Sequence, residues 1–196
     1  MKHFVFDLGG VIAKLMDRKN IYDNLNLTID YEQFKYIFSD GEEATKVHKG
    51  QMSIEKYFEF LKQYLKKETS FQEFIKIYQK SKKGLYEDTV EIINKLKSSG
   101  FKIYLLSNLR EIDFEIFQKG FDTSIFTEMF LSYDIGMLKP NDDIYQYMLK
   151  KINDLPSNIY FFDDNENNIN RALRNGINAY KVTGDNIKEV ITNLKT

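Results

Sequence analysis

His3-Phe4-Val5-Phe6-Asp7-Leu8-Gly9-Gly10-Val11-Ile12 sets a bulky apolar run directly against a carboxylate, with two glycines close behind. The run predicts a buried strand that delivers Asp7 to its C-terminal end and then turns sharply. An open α/β sheet keeps its chemistry at that edge. Taken alone, Asp7 reads equally well as a residue that starts a turn, so the remaining chain must decide.

The 196 residues suffice for one well-cored domain carrying a smaller insertion. With 28 basic and 29 acidic side chains, no basic field calls for nucleic acid or an anionic membrane surface. Any phosphate must be met locally. The absence of cysteine removes disulfides, thiol catalysis and thiolate metal sites together, and suits a reducing compartment. Asp7 interrupts the N-terminal apolar run short of a signal-peptide core, and no apolar stretch approaches membrane-spanning length. A cytoplasmic protein is expected.

Working outward, residues 17–83 are richer in polar side chains, and their aromatics fall at helical spacing. Ile54, Tyr57, Phe58, Leu61 and Leu65 form a stripe that Ser53 is placed to cap; Phe71, Phe74, Ile75 and Tyr78 form another, opened by the capping-box pair Ser70 and Glu73. Tyr31, Phe34, Ile37 and Phe38 suggest a third. These are the marks of a small helical module with no strand of its own, inserted between residues 1–16 and 84–196.

From residue 88 onward helix and strand alternate. A helix bearing Val90, Ile93 and Leu96, capped by Asp88 and stopped by Gly100, precedes a strand from Phe101 to Leu106 that ends in Ser107-Asn108. Met129 to Leu131 is a short third strand. Pro140 disfavours helix at Lys139, which is expected in an extended loop, and Asn141 or Asp142 then caps a helix carrying Ile144, Tyr145, Met148 and Ile152. Ile159 to Phe162 runs into Asp163-Asp164; a helix with Ile169, Ala172 and Leu173 closes at Gly176. Ile177 to Val182 is the fifth strand, and Ile187, Val190, Ile191 and Leu194 end the chain as an amphipathic helix. The alternation predicts an α/β, Rossmann-like, mainly parallel sheet covered on both faces.

In such a sheet Asp7, Ser107, Lys139, Asp163 and Asp164 converge on one edge from distant parts of the chain. Each has an ordinary explanation alone, as a cap, a surface turn or a loop. Their order and spacing together do not.

With these motifs in place the chain resembles the haloacid dehalogenase superfamily of hydrolases, over nearly its whole length. Phe6-Asp7-Leu8-Gly9-Gly10-Val11, Leu106-Ser107-Asn108, Lys139-Pro140 and Phe162-Asp163-Asp164-Asn165-Glu166-Asn167-Asn168-Ile169 match its four motifs in order, and the helical insert falls where the family's first-type cap does. Ser132-Tyr133-Asp134-Ile135-Gly136-Met137-Leu138-Lys139-Pro140 is similar to the branch of bacterial sugar-phosphate phosphatases and epoxide-hydrolase N-terminal phosphatase domains. The resemblance implies a Mg²⁺-dependent phosphatase for a small phosphorylated metabolite, working as a monomer or homodimer. Asp7 would be the nucleophile that forms an aspartyl-phosphate. Asp7, Asp164, the Gly9 carbonyl and Asp163, the last directly or through water, would hold the metal. Lys139 would bridge nucleophile and phosphate, Ser107 would hydrogen-bond a phosphoryl oxygen, and Asn108 with the backbone of Gly9 and Gly10 would assist.

One position departs from the family pattern. Where most members carry a second aspartate, two residues after the nucleophile, this chain has Gly9. That aspartate serves as general acid and then base, help typically worth about 10²- to 10⁴-fold. A substrate with a good leaving group, a sugar 1-phosphate among them, or a donor elsewhere would compensate. Two other classes stay open: metal-free 2-haloacid dehalogenation, which has no use for paired carboxylates, and a non-catalytic binding or regulatory protein of the same fold. In the insert, Gly50-Gln51-Met52 reads as a turn that either faces the site or merely joins helices. His48 reads as a surface or packing residue, and Arg110 as a contact for a substrate anion or a solvent-facing side chain.

Overall fold

The computed structural model describes residues 1–194. Five strands, β1 (His3–Phe6), β2 (Lys102–Ser107), β3 (Glu128–Leu131), β4 (Ile159–Asp163) and β5 (Asn178–Lys181), form one parallel sheet in the order β3-β2-β1-β4-β5. The strands read as apolar runs because both faces are covered. Phe4, Phe6, Ile103, Leu105 and Phe162 pack on one side with Ile93 and Ile187; Val5, Leu106, Phe130 and Phe161 pack on the other with Tyr145, Met148 and Ala172.

Eleven α-helices lie among the described residues. Five belong to the insert: α1 (Arg18–Leu25), α2 (Tyr31–Lys35), α3 (Glu42–His48), α4 (Ile54–Leu61) and α5 (Phe71–Lys80). Three aromatic stripes foretold α2, α4 and α5. They did not foretell α1 and α3, which bury only Ile21 with Leu25 and Ala44 with Val47. Two buried contacts per helix are too few to show as a period. The Ser53 cap and the Ser70–Glu73 capping box are both formed. The insert encloses its own apolar cluster, in which Phe34, Phe38, Tyr57, Phe58, Phe74 and Tyr78 meet Ile112 from the core.

The other helices are α6 (Glu87–Ser98), α7 (Glu111–Phe117), α8 (Ser132–Ile135), α9 (Asp142–Ile152), α10 (Glu166–Arg174) and α11 (Ile187–Asn193). Two local expectations need correction. Asp88 does not cap α6: Tyr86 holds that position without a side-chain bond, and Glu87 and Asp88 sit in the first turn, where they favour the helix dipole. After β3, Ser132–Ile135 makes one helical turn closed by Gly136 at φ 71°. Lys139 lies in a tight turn, with the Asn141 amide donating to the Leu138 carbonyl at 2.9 Å, rather than in an extended loop. Asn141 stands at the cap position of α9 but its side chain makes no capping bond. No helix of the described residues is long and apolar enough to cross a membrane.

Candidate active site

The register decides where the polar residues emerge. Phe6 pairs with Phe162 and with Leu105, and the Asp7 amide donates to the Phe162 carbonyl at 2.9 Å, so Asp7, Asp163 and Ser107 leave the sheet side by side. The Asp7 Oδ1 atom accepts from Ser107 Oγ at 2.8 Å and from Lys139 Nζ at 2.7 Å. Lys139 Nζ also donates to Asp163 Oδ2 at 2.6 Å. The lysine is 5% exposed, so this bridge lies in a medium where charge interactions are strong.

The two adjacent aspartates, alike in sequence, differ in the structure. Asp163 is fully occupied: besides Lys139 it accepts from the Asn165 amide at 2.8 Å and from Asn168 Nδ2 at 2.9 and 3.0 Å. Asp164 leans against the glycine turn. An ideal Cβ at Gly10, whose φ is 80°, would stand 2.3 Å from Asp164 Oδ2, so only glycine permits this approach. Neither Asn165 nor Asn168 was singled out from sequence. Their spacing after Asp163 at the start of a helix was the available signal.

The electrostatics leave the cluster short of positive charge. Burial, then the neighbouring Asp163, push the Asp7 carboxyl up to about 6 against the pull of Lys139. Burial and Asp163 also raise Asp164. Burial disfavours the Lys139 ammonium, but Asp163 and Asp7 outweigh it and hold the group above its usual range. Oxygens of Asp7, Asp163 and Asp164 all lie within 4.8 Å of one another. Three carboxylates with one ammonium carry a formal charge of minus two, and the all-oxygen donor set suits Mg²⁺. These residues fit a divalent cation.

Asn108 holds the backbone of Lys139 with its side chain. Its Nδ2 donates to the Lys139 carbonyl at 2.7 Å and its Oδ1 accepts from the Lys139 amide at 2.8 Å, so it brackets the lysine backbone. Behind it, Ser132 Oγ accepts from the Leu109 amide at 2.9 Å and donates to the Leu109 carbonyl at 3.1 Å, fixing the turn after Ser107.

Arg110 is not solvent-facing. It is 2% exposed, its Nη1 donates to the Tyr78 hydroxyl at 3.2 Å and its Nη2 donates to the Phe38 carbonyl, so a core residue is anchored in the insert. Asp113 accepts from Tyr78 at 2.6 Å and also from Lys82; burial opposes its charge, but Lys82 and Arg110 bring the carboxyl down to about 2. Gly50 approaches the Tyr133 carbonyl so closely that a Cβ would meet it at 2.0 Å, so its turn is an insert-to-core contact. A cavity of about 600 Å³ runs from Gly9, Ser107 and Lys139 to Thr45 and His48 of the insert. His48 is therefore a wall of the site-facing cavity.

The ends of β1, β2 and β4 and the turn before α9 bring this Asp–Ser–Lys–Asp–Asp set to one edge of a parallel sheet. The chain belongs to the haloacid dehalogenase-like hydrolases, whose family model matches residues 1–176. Among curated relatives it is 25% identical over 199 residues to the D-ribitol-5-phosphate phosphatase of Bacteroides thetaiotaomicron, covering 92% of this chain and 91% of that one. It is 26% identical over 111 residues to drimenol cyclase drtB of Aspergillus calidoustus, of which it spans only 21%. Among solved structures, a family enzyme from Bacteroides thetaiotaomicron in complex with magnesium and inorganic phosphate superposes with a TM-score of 0.80 at 23% identity, covering 94% of this chain and 95% of that one.

Proposed function

We propose that the protein is a Mg²⁺-dependent phosphatase that hydrolyses a small phosphorylated metabolite through an aspartyl-phosphate on Asp7. The observation that carries this reading is the single ammonium of Lys139 shared between Asp7 and Asp163, with Ser107 on the same Asp7 oxygen. A carboxylate is a ready nucleophile near neutral pH, but it meets an anionic phosphate. Like unit charges about 4 Å apart oppose each other by about 4 kcal/mol at an effective dielectric of about 20.

The chain's own groups answer this. Lys139 aims Asp7 and offers its remaining proton donor to the phosphoryl group; Ser107 Oγ stands 2.8 Å from the nucleophile, placed to turn its hydrogen to a phosphoryl oxygen. Asn108 fixes Lys139, and the amides of the glycine turn assist. Asp7, Asp164 and the Gly9 carbonyl would hold the cation directly. Asp163, whose oxygens already have partners, would act through water. A bound Mg²⁺ would supply charge neutralisation and polarise the phosphoryl oxygens.

The relative named as a D-ribitol-5-phosphate phosphatase, matched over nearly its whole length, supports a sugar-phosphate-like substrate, with a sugar 1-phosphate suited to the missing acid at Gly9. We assign residues 17–83 as the cap that chooses the substrate, and the protein itself to the cytoplasm as a monomer or homodimer. The carboxylate cluster disfavours metal-free dehalogenation. The test is phosphate release across a panel of phosphorylated metabolites with and without Mg²⁺. Wild type is expected to need the metal and Asp7→Asn to lose activity by at least about 10³-fold. Chloride release from a 2-chloro acid without metal, or binding of Mg²⁺ with no turnover on any ester, would overturn it.

A further inference from the structure

The wall of the cavity beside Ser107 carries more cations than the reaction uses. Lys139 is taken by Asp7 and Asp163, and Lys82 by Asp113. Arg110 is buried, with its terminal nitrogens given to Tyr78 and to the Phe38 carbonyl. Lys83 pairs with Asp17 at 3.2 Å. Two cations of the wall are left, Lys14 and Arg18, and both are exposed. Neither makes an ion pair or a side-chain hydrogen bond among the described residues. Lys14 lies over the Tyr86 ring, 5.7 Å from its centre.

Nothing local accounts for Arg18. It is the first residue of α1, where the helix dipole disfavours a cation, while its neighbour Lys19 is satisfied by Asp23. Its charge is nonetheless felt on the cavity wall: burial and then Arg110 bring His48 down to about 3, and Arg18 adds to that push. Asp40, exposed at the end of the π-helical turn Tyr36–Asp40, is the carboxylate of the wall that has no cation partner among the described residues. It offsets one of the two free charges and, as an acceptor only, suits hydroxyl groups. The balance stays positive.

The phosphoryl end of a substrate is met by Lys139, Ser107 and the cation that the carboxylates fit, so the free charges serve another part of it. We propose that Arg18, together with Lys14, forms a second anion subsite on the exposed part of the cavity wall, so that the substrate is doubly anionic: a phosphate ester whose far end carries a carboxylate or a second phosphoryl group. This rests on the phosphatase reading and narrows its substrate class. The guanidinium fork matches two oxygens of either group, and Lys14 adds a point charge. Because both cations are exposed, they also draw the anion in from solvent, an effect that salt screens.

The experiment compares kcat/KM with Mg²⁺ on one carbon skeleton and one primary leaving oxygen, using D-ribitol 5-phosphate, 5-phospho-D-ribonate and D-ribitol 1,5-bisphosphate. One of the two doubly anionic esters is expected to exceed ribitol phosphate by about tenfold, chiefly through KM. Which one does so tells a carboxylate subsite from a phosphate subsite. Arg18→Gln should bring that ratio within about twofold of unity, and Arg18→Lys should keep part of it. Lys188→Gln, which removes a cation paired with Asp88 outside the cavity wall, should leave the ratio as in wild type. Raising the ionic strength should shrink it. Ratios near one in wild type, or a preference that Arg18→Gln leaves intact, overturn the inference, and release that still needs Mg²⁺ and Asp7 keeps the phosphatase reading standing. Release indifferent to Mg²⁺ that survives Asp7→Asn removes the parent reading, and the subsite with it.

Discussion

The guanidinium of Arg110 lies 4.3 Å from the centre of the Phe38 ring, which joins the turn after the second motif to the aromatic interior of the insert. A planar cation suits this stacked and forked position in a way that lysine does not. Arg110→Lys should lower stability by about 1–3 kcal/mol, and Arg110→Met by about 3–5 kcal/mol, because the latter leaves buried Asp113 short of a cation. Thermal unfolding measures the loss. In the surviving folded enzyme KM should rise more than kcat falls, since the cavity wall moves and the nucleophile does not. Equal changes in both would count against this assignment.

Asn108 makes a narrower expectation. Asn108→Asp keeps the acceptor for the Lys139 amide but sets an oxygen against the Lys139 carbonyl where an N–H now donates at 2.7 Å. A misplacement of the order of 1 Å at a catalytic group costs about 10²-fold. A kcat lower by about that factor, with a nearly unchanged unfolding temperature, is the expected result; a wild-type kcat would show that the bracket does not position the lysine.

The two adjacent glycines should respond differently to alanine. At Gly10 a Cβ would collide with Asp164 Oδ2 at 2.3 Å on a backbone of φ 80°, whereas at Gly9 it would make ordinary contact with Leu15. Gly10→Ala is expected to weaken Mg²⁺ binding at least about tenfold by calorimetry. Gly9→Ala should leave it within about threefold, since the ligand offered there is a main-chain carbonyl.

His48 gives the pH dependence. Its folded-state value of about 3 lies below the ordinary 6.5, so between those values the unfolded chain binds more protons than the folded one. Stability from this group is therefore complete above pH 6.5 and falls as the pH is lowered toward 3. His48→Gln should flatten that fall in urea unfolding series. An equally steep loss in the variant would mean that the acid sensitivity arises elsewhere.

The alternation of helix and strand and the order of the polar strand ends were legible because each is a local pattern. An apolar run meeting Asp7, or β4 meeting Asp163, needs no knowledge of the rest of the chain. Arg110 was not legible, since its partners Phe38 and Tyr78 lie 72 and 32 residues away in sequence. The division of labour between Asp163 and Asp164 was hidden for a related reason: two identical side chains diverge only once Asn168 and Lys139 reach one of them. The bracket that Asn108 puts around Lys139 likewise depends on a turn 31 residues away.

The insert enters and leaves the core through paired backbone. The Tyr86 amide donates to the Ile12 carbonyl at 2.9 Å, the Lys14 amide to the Gly84 carbonyl at 2.9 Å, and Ala13 and Leu85 form an antiparallel bridge. The seventy or so residues beyond this stem thus form a cassette with adjoining ends, and the sheet's register is indifferent to what hangs from it. Grafting experiments have natural splice points at Ala13 and Leu85. A foreign sequence can then replace the insert while Asp7 keeps its address.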